Sequence, residues 1–266
     1  MRYGASDFKR LFSKGSTDMK AMSTYLFAGF IMTLALFVAH AFGAQQQAGQ
    51  DDGTSRKMRA SRYDETARGV NAPIYAYYAE QIKKKTSITK GLCVDAGSGG
   101  GYLGLALAKI TGLDFVFLDI SPQALEKAKE HIVEDGLQQR ARTLLADVHN
   151  IPLEDGSVDL VISRGSLPFW KDPVQAFKEI DRILAPGGQA YVGGGRGTPE
   201  IREQIAARRK ALGQALPDWE KRKDGVPPGA PSRMMNRDFN EILQQTGIAK
   251  YAVNKGDDGL WIRIWK

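Results

Sequence analysis

The chain is poor in thiols and imidazoles. One cysteine, Cys93, and three histidines stand among 266 residues. A single thiol cannot close an intrachain disulfide or build a cysteine metal cluster. Set inside an apolar run, Cys93 reads as a small buried hydrophobe. Histidines and acids do not gather at metal-ligand spacing, so no metal is expected. No internal repeat is present. The net charge is +7, and part of the excess sits in three runs: Lys83 to Lys85, Arg208 to Lys210 and Lys221 to Lys223. Only Trp219 lies beside one of them, and no aromatic residue interleaves with them. Runs of this kind read as solvated faces. They lack the stacking rings of a single-strand nucleic-acid groove, so nucleic acid is not an expected partner.

The composition, 42% apolar and 25% charged, is that of a chain with a packed core. Residues 1–20 are polar and basic, and Tyr25 to Ala44 is then almost unbroken apolar sequence, interrupted by Thr33 and His40. At about 1.5 Å per residue this run matches the ~30 Å hydrocarbon core of a bilayer. Three readings stay open: an uncleaved anchor, a cleaved leader with Ala39-His40-Ala41 as its small-x-small site, or a segment upstream of the true start. Membrane association through residues 25–44 is the expectation carried forward. The division is a basic segment 1–20, a hydrophobic helix 21–44, a linker 45–60 rich in Gln, Gly, Asp and Ser, and a folded domain 61–266.

Within 61–266, strands and helices alternate. Strands are predicted at Gly91–Asp95, Asp114–Asp119, Arg142–Ala146, Val158–Ser163 and Gln189–Val192, and Lys250–Asn254 and Leu260–Trp265 read as two closing strands that pair antiparallel. Helices are predicted at Tyr102–Ile110, from Ser121-Pro122 to Gly136, from Asp172-Pro173 to a stop at Pro186-Gly187-Gly188, at Pro199–Leu212 and at Phe239–Thr246. Ser121 and Asp172 are N-caps followed by proline at the first helical position. Alternation of this kind implies a mostly parallel sheet covered on both faces.

The chemistry concentrates at strand ends. Val94-Asp-Ala-Gly-Ser-Gly-Gly-Gly101 joins the first strand to its helix. Glycines let the backbone approach a ligand, and the helix start offers free N–H groups. Asp95 inside this turn would repel a pyrophosphate and suits a cationic amino group. Asp119 ends the second strand, where an acid accepts ribose hydroxyls. Asp147 follows the third strand and can accept from an exocyclic amine. Three successive strands thus end in acids at the sheet edge where such folds bind ligands.

These motifs, together with Leu118-Asp-Ile-Ser-Pro122, the run from Ala146 to Leu160 and Leu184-Ala-Pro-Gly-Gly188, resemble the class I S-adenosylmethionine (SAM)-dependent methyltransferases. The similarity spans about Gly91 to Val192 and is nearest to the small-molecule branch that includes the ubiquinone and menaquinone enzymes. The resemblance implies a Rossmann-like doubly wound α/β fold, with a mostly parallel seven-stranded sheet and a C-terminal antiparallel pair. It implies SAM as cofactor, with Gly97, Gly99 and Gly101 at its methionine moiety and Asp95 at its amino group. Asp119 would take the ribose, Ile120 the adenine face, Asp147 the adenine amine and Val148 a ring nitrogen. Ser163 and Arg164 would border the sulfonium.

The acceptor is less legible. Ser163-Arg-Gly-Ser-Leu-Pro-Phe-Trp170 matches no acceptor signature, and Tyr191-Val-Gly-Gly-Gly-Arg-Gly197 reads equally as a close approach to substrate or as a flexible loop. Tyr63, Tyr75, Tyr77, Tyr78 and Trp170 are candidates to roof the site, or ordinary packing residues, and Arg196 is a further acceptor-side candidate. His149 is expected to be a solvated loop residue and His131 a surface one; no catalytic base is assigned. There is no Asn/Asp-Pro-Pro-aromatic motif and no second cysteine for cytosine chemistry. The reading is a methyltransferase acting on a small or lipophilic acceptor. The alternatives are a nucleic-acid or protein methyltransferase using the helix near Arg208, a SAM-binding module without catalysis, and a nicotinamide oxidoreductase, against which Asp95 argues. Charge bias around residues 25–44 puts the domain outside the cell, whereas SAM supply puts it in the cytoplasm.

Overall fold

The computed structural model describes residues 64–215 and 237–266. The basic segment, the apolar run 25–44, the linker and Tyr63 lie outside the described residues. So does the run Lys221 to Lys223.

A helical turn at residues 64–68 precedes α1 (Ala72–Thr86). There follow β1 (Lys90–Ala96), α2 (Tyr102–Ala108), β2 (Gly112–Asp119), α3 (Pro122–Glu134), β3 (Ala141–Leu145) and β4 (Val158–Arg164). A 3-10 turn (Leu167–Phe169) leads to α4 (Pro173–Ile183), β5 (Leu184–Gly194), α5 (Pro199–Ala211), α6 (Phe239–Gln244), β6 (Tyr251–Gly256) and β7 (Gly259–Trp265). The seven strands form one sheet in the order β3-β2-β1-β4-β5-β7-β6. β1 to β5 are parallel, and β7 pairs antiparallel with both β5 and β6.

The two faces follow from a period of two along the strands. Cys93, Phe115, Phe117, Leu160 and Ile162 point into one core with α1, α2, α3 and α5. Val94, Val116, Leu118 and Val161 point into the other, with α4 and α6. Both faces are therefore apolar, as a parallel sheet buried on both sides requires. Cys93 is fully buried. The caps act as expected: Ser121 accepts from Ala124 N and Asp172 from Gln175 N.

The strand order reverses between β1 and β4, because β2 and β3 lie to one side and β5 to the other. Loops leaving the C-terminal ends of β1 and β4 must diverge there, which opens a crevice.

Some expectations are corrected. Pro186-Gly187-Gly188 is not a gap between helix and strand. β5 begins at Leu184, paired with Val158, and a bulge absorbs the next residues before Leu160 pairs with Gln189. At Gly193 and Gly195 the close backbone approach is to a neighbouring strand and its turn. A Cβ on Gly193 would stand 2.1 Å from Leu260 O, and one on Gly195 1.7 Å from Asp258 O. They let β5 and its exit lie against the β6–β7 turn. His131 is not a surface residue. It is 2% exposed, contacting Gly100 O through Nδ1 at 2.8 Å and the Asp64 carboxylate through Nε2. Helix periodicity gave it a face, but only the tertiary fold brings the glycine turn over that face. The basic helix α5 is partly a clamp: Arg209 is 6% exposed and reaches Asn71 Oδ1, and Arg208 donates to Gly69 O.

Candidate active site

A cleft of about 420 Å³ opens at this reversal point. Its lining brings together most of the residues singled out in the sequence: Asp95, Gly97, Gly99, Asp119, Ile120, Asp147, Val148, Arg164, Tyr75 and Trp170.

The turn after β1 is held by backbone bonds. Gly97 N and Ser98 N both donate to Leu118 O, at 2.8 and 3.0 Å, which ties the turn to the end of β2. Gly97 has φ +69, and a Cβ there would meet the Ser166 Cβ at 2.4 Å. Glycine is thus required on both conformational and steric grounds.

Each of the three acids is oriented by backbone N–H groups. Asp95, 1% exposed, accepts from Gly104 N at 3.0 Å. Its carboxyl is pushed up to about 7, because burial strips water from the charged form; the Gly104 bond opposes this and the nearby Asp119 adds to it. Asp119 accepts from Gly99 N and Ser121 N, both at 2.9 Å, so one side chain sets both the glycine turn and the start of α3. Asp147 accepts from His149 N at 3.0 Å and also contacts His149 Nδ1. Partial burial raises its pKa, but the His149 bonds outweigh this and hold it below the usual range.

Ile120 is 67% exposed and Phe169 62%. Both line the cleft, so these apolar side chains stand in solvent where a planar or apolar ligand can cover them. Tyr75 and Tyr102 form a tilted ring pair at 5.5 Å on the same lining. Trp170 is buried against Phe177, and its Nε1 donates to Ser166 Oγ at 3.1 Å. Arg164 lays its guanidinium over the rings of Tyr75 and Tyr78, at 5.0 and 5.3 Å, and donates to Gly195 O at 2.8 Å.

Not every candidate reaches the cleft. Ser163 is fully buried and donates to Ala96 O at 2.6 Å. It pins β4 to the end of β1, and Ser166 lines the cleft in its place. Strand alternation explains this: Arg164 and Ser163 point to opposite sides. Gly101, with φ +82, caps α2 against Phe117 and is set back from the lining. Arg196 is exposed and away from the lining. Tyr77 and Tyr78 also do not line it; Tyr78 donates to Asp258 O and accepts from Gly197 N. Burial pushes the Tyr78 phenol up to about 12. His149, expected in solvent, is a half-buried wall of the cleft whose Nε2 accepts from Asp172 N at 3.1 Å. Both of its ring nitrogens thus contact neighbouring groups of the protein. Tyr102, Ser166, Phe169 and Lys171 were not foreseen. Only Tyr102, the first residue of α2 after the glycine turn, carried a positional signal in the sequence.

Residues 94–192 match the family model described as a methyltransferase domain. A crystal structure from Methanococcus maripaludis, of a protein assigned as an S-adenosyl-L-methionine-dependent methyltransferase, is 40% identical. The match covers 77% of this chain and 90% of that one, with a TM-score of 0.65. The chain belongs to the class I SAM-dependent methyltransferases. Among curated relatives, a rice (Oryza sativa subsp. japonica) 2-methyl-6-phytyl-1,4-hydroquinone methyltransferase is 32% identical over 98 residues, 36% of this methyltransferase and 28% of the relative. A ubiquinone biosynthesis O-methyltransferase from Methylococcus capsulatus is 34% identical over 110 residues, 41% of this chain and 46% of the relative. The chain thus spans less than half the length of these curated relatives. Among the described residues no group of acids, histidines and cysteines is placed to hold a metal ion.

Proposed function

We propose that this methyltransferase transfers the methyl group of SAM to a small, largely apolar acceptor. One observation carries the reading: Asp95, Asp119 and Asp147 line a single cleft around a glycine turn tied to β2. The donor set fits the cofactor. Asp95 suits its ammonium, Asp119 its ribose hydroxyls and Asp147 the adenine amine. Val148 and the exposed Ile120 offer apolar contact to the base, and Gly97 and Gly99 leave room for the methionine portion. SAM supplies an electrophilic methyl group: the S–C bond breaks as the acceptor–C bond forms, and sulfur keeps the electron pair as the neutral thioether. The protein's part is to position the acceptor in line and to exclude water. Tyr75, Phe169 and Trp170 are the apolar surfaces on the acceptor side. An acceptor acidic enough to ionise in water needs no protein base.

The names of the curated relatives, hydroquinone and ubiquinone-pathway methyltransferases, support a lipophilic acceptor. The engagement of Arg208 and Arg209 with α1 and its approach weighs against a nucleic-acid surface on α5. The test is incubation with methyl-labelled SAM and fractionated cell extract. Label is expected in the solvent-extractable small-molecule pool. Label confined to protein or nucleic acid, or SAM binding without transfer to any fraction, overturns the reading. The apolar run 25–44 enters the proposal as a membrane tether, supported by its length; release of the full chain from membranes by alkaline carbonate would remove it.

A further inference from the structure

The cleft carries opposite charges on its two sides. The acids lie at the tips of β1 and β2 and after β3, whereas Arg164 at the end of β4 and Lys171 at the rim line the other side. Arg164 forms no ion pair among the described residues. Its contacts are two aromatic faces and one carbonyl, and its Nε is buried without a hydrogen-bond partner. A guanidinium held this way has ring faces and a carbonyl for company but no carboxylate partner, and its unpaired Nε, out of water, is costly. The expected cofactor brings a second positive charge, its sulfonium, into the same cleft. Two cations sharing a partly water-excluded space repel with little screening by salt. The arrangement is relieved when an anion enters between them.

We infer that the acceptor carries an anionic group, a carboxylate or phenolate on an apolar body, and that Arg164 binds it. This rests on the proposed function above and names its substrate class. The guanidinium fork matches a planar carboxylate. Phe169, exposed at the rim, and Tyr75 and Trp170 supply the apolar contact. Lys171 adds a weaker attraction from the edge, because it stands in solvent near Asp147. Arg164 thereby couples the two sites: an anion neutralises it and makes room for a positive sulfur.

The experiment uses 4-hexylbenzoate and its uncharged methyl ester as probes, with SAM and S-adenosylhomocysteine as cofactor ligands, read by calorimetry on the full chain. Saturating 4-hexylbenzoate is expected to tighten SAM binding on the order of fivefold or more. It should tighten the neutral thioether S-adenosylhomocysteine far less, and the ester should do neither. Arg164→Gln should abolish the effect and Arg164→Lys should retain part of it, with melting temperatures showing that both fold. Equal coupling by acid and ester, equal coupling to SAM and S-adenosylhomocysteine, or coupling that persists in Arg164→Gln overturns the inference. If SAM itself fails to bind, the functional reading falls, and the inference is then read from the probes alone: the wild type prefers the acid over the ester and Arg164→Gln does not.

Discussion

Along the tips of β1, β2 and β3, the cleft presents carboxylates whose positions are set by backbone N–H groups: Gly104 for Asp95, Gly99 and Ser121 for Asp119, His149 for Asp147. Across from them, the segment after β4 is set by side chains: Arg164 on two tyrosine rings, Trp170 on Phe177 and Ser166. The first side is templated by strand register and turn geometry, so it needs few particular neighbours. The second depends on side-chain packing, local for Trp170 and, for Arg164, against rings of α1 far earlier in the chain.

The cofactor side should be the more fragile to single changes. Asp119→Ala removes a carboxylate that holds two backbone donors and is expected to weaken SAM binding by about 100-fold, the scale of two charge-assisted hydrogen bonds. Calorimetry checks this, and a change below about fivefold would remove Asp119 from the site. Away from the cleft, Gly195→Ala forces a Cβ to 1.7 Å from Asp258 O. It should cost about 1–3 kcal/mol of stability, seen as a lower melting temperature, while the folded fraction binds SAM as before.

Asp95 gives a pH signature. Its carboxyl titrates near 7 rather than at the ordinary 3.8, so in the ligand-free protein it is neutral over much of the range where an unfolded chain ionises. The folded form then holds the extra proton, and this group's contribution to stability falls as pH rises from 3.8 towards 7. A cationic ligand needs the ionised form, so SAM affinity should rise between pH 6 and 8. Asp95→Asn should flatten that rise and bind roughly tenfold more weakly at pH 8. A wild-type affinity independent of pH contradicts the pairing. The smallest effect belongs to the other side: Phe169→Ala should raise the KM for an apolar acceptor by about two- to fivefold, through lost apolar contact, and leave SAM affinity unchanged in calorimetry.

The same division explains what could be read in advance. The parallel strands, their caps and the three acids were legible because each rests on local pattern: period-two apolar runs, Ser-Pro and Asp-Pro helix starts, and an acid at each strand end. Residues whose meaning depends on a distant partner were not. Ser163 and Ser166 look alike in sequence, and only the pairing of β4 with β1 buries the first and exposes the second to the cleft. The glycines at 193–195 signal a close approach, but what approaches them is β7 and its turn, more than sixty residues later. His131 looked exposed because the Gly100 carbonyl and Asp64 that cover it come from elsewhere in the chain.

A crystal structure of the full chain with S-adenosylhomocysteine bound tests the cofactor assignment most directly. The ligand's ammonium should contact Asp95, its ribose hydroxyls Asp119, and its adenine the strip of Ile120, Asp147 and Val148. A ligand seated elsewhere, or seated in this cleft with its ribose and ammonium turned away from these acids, would contradict the account.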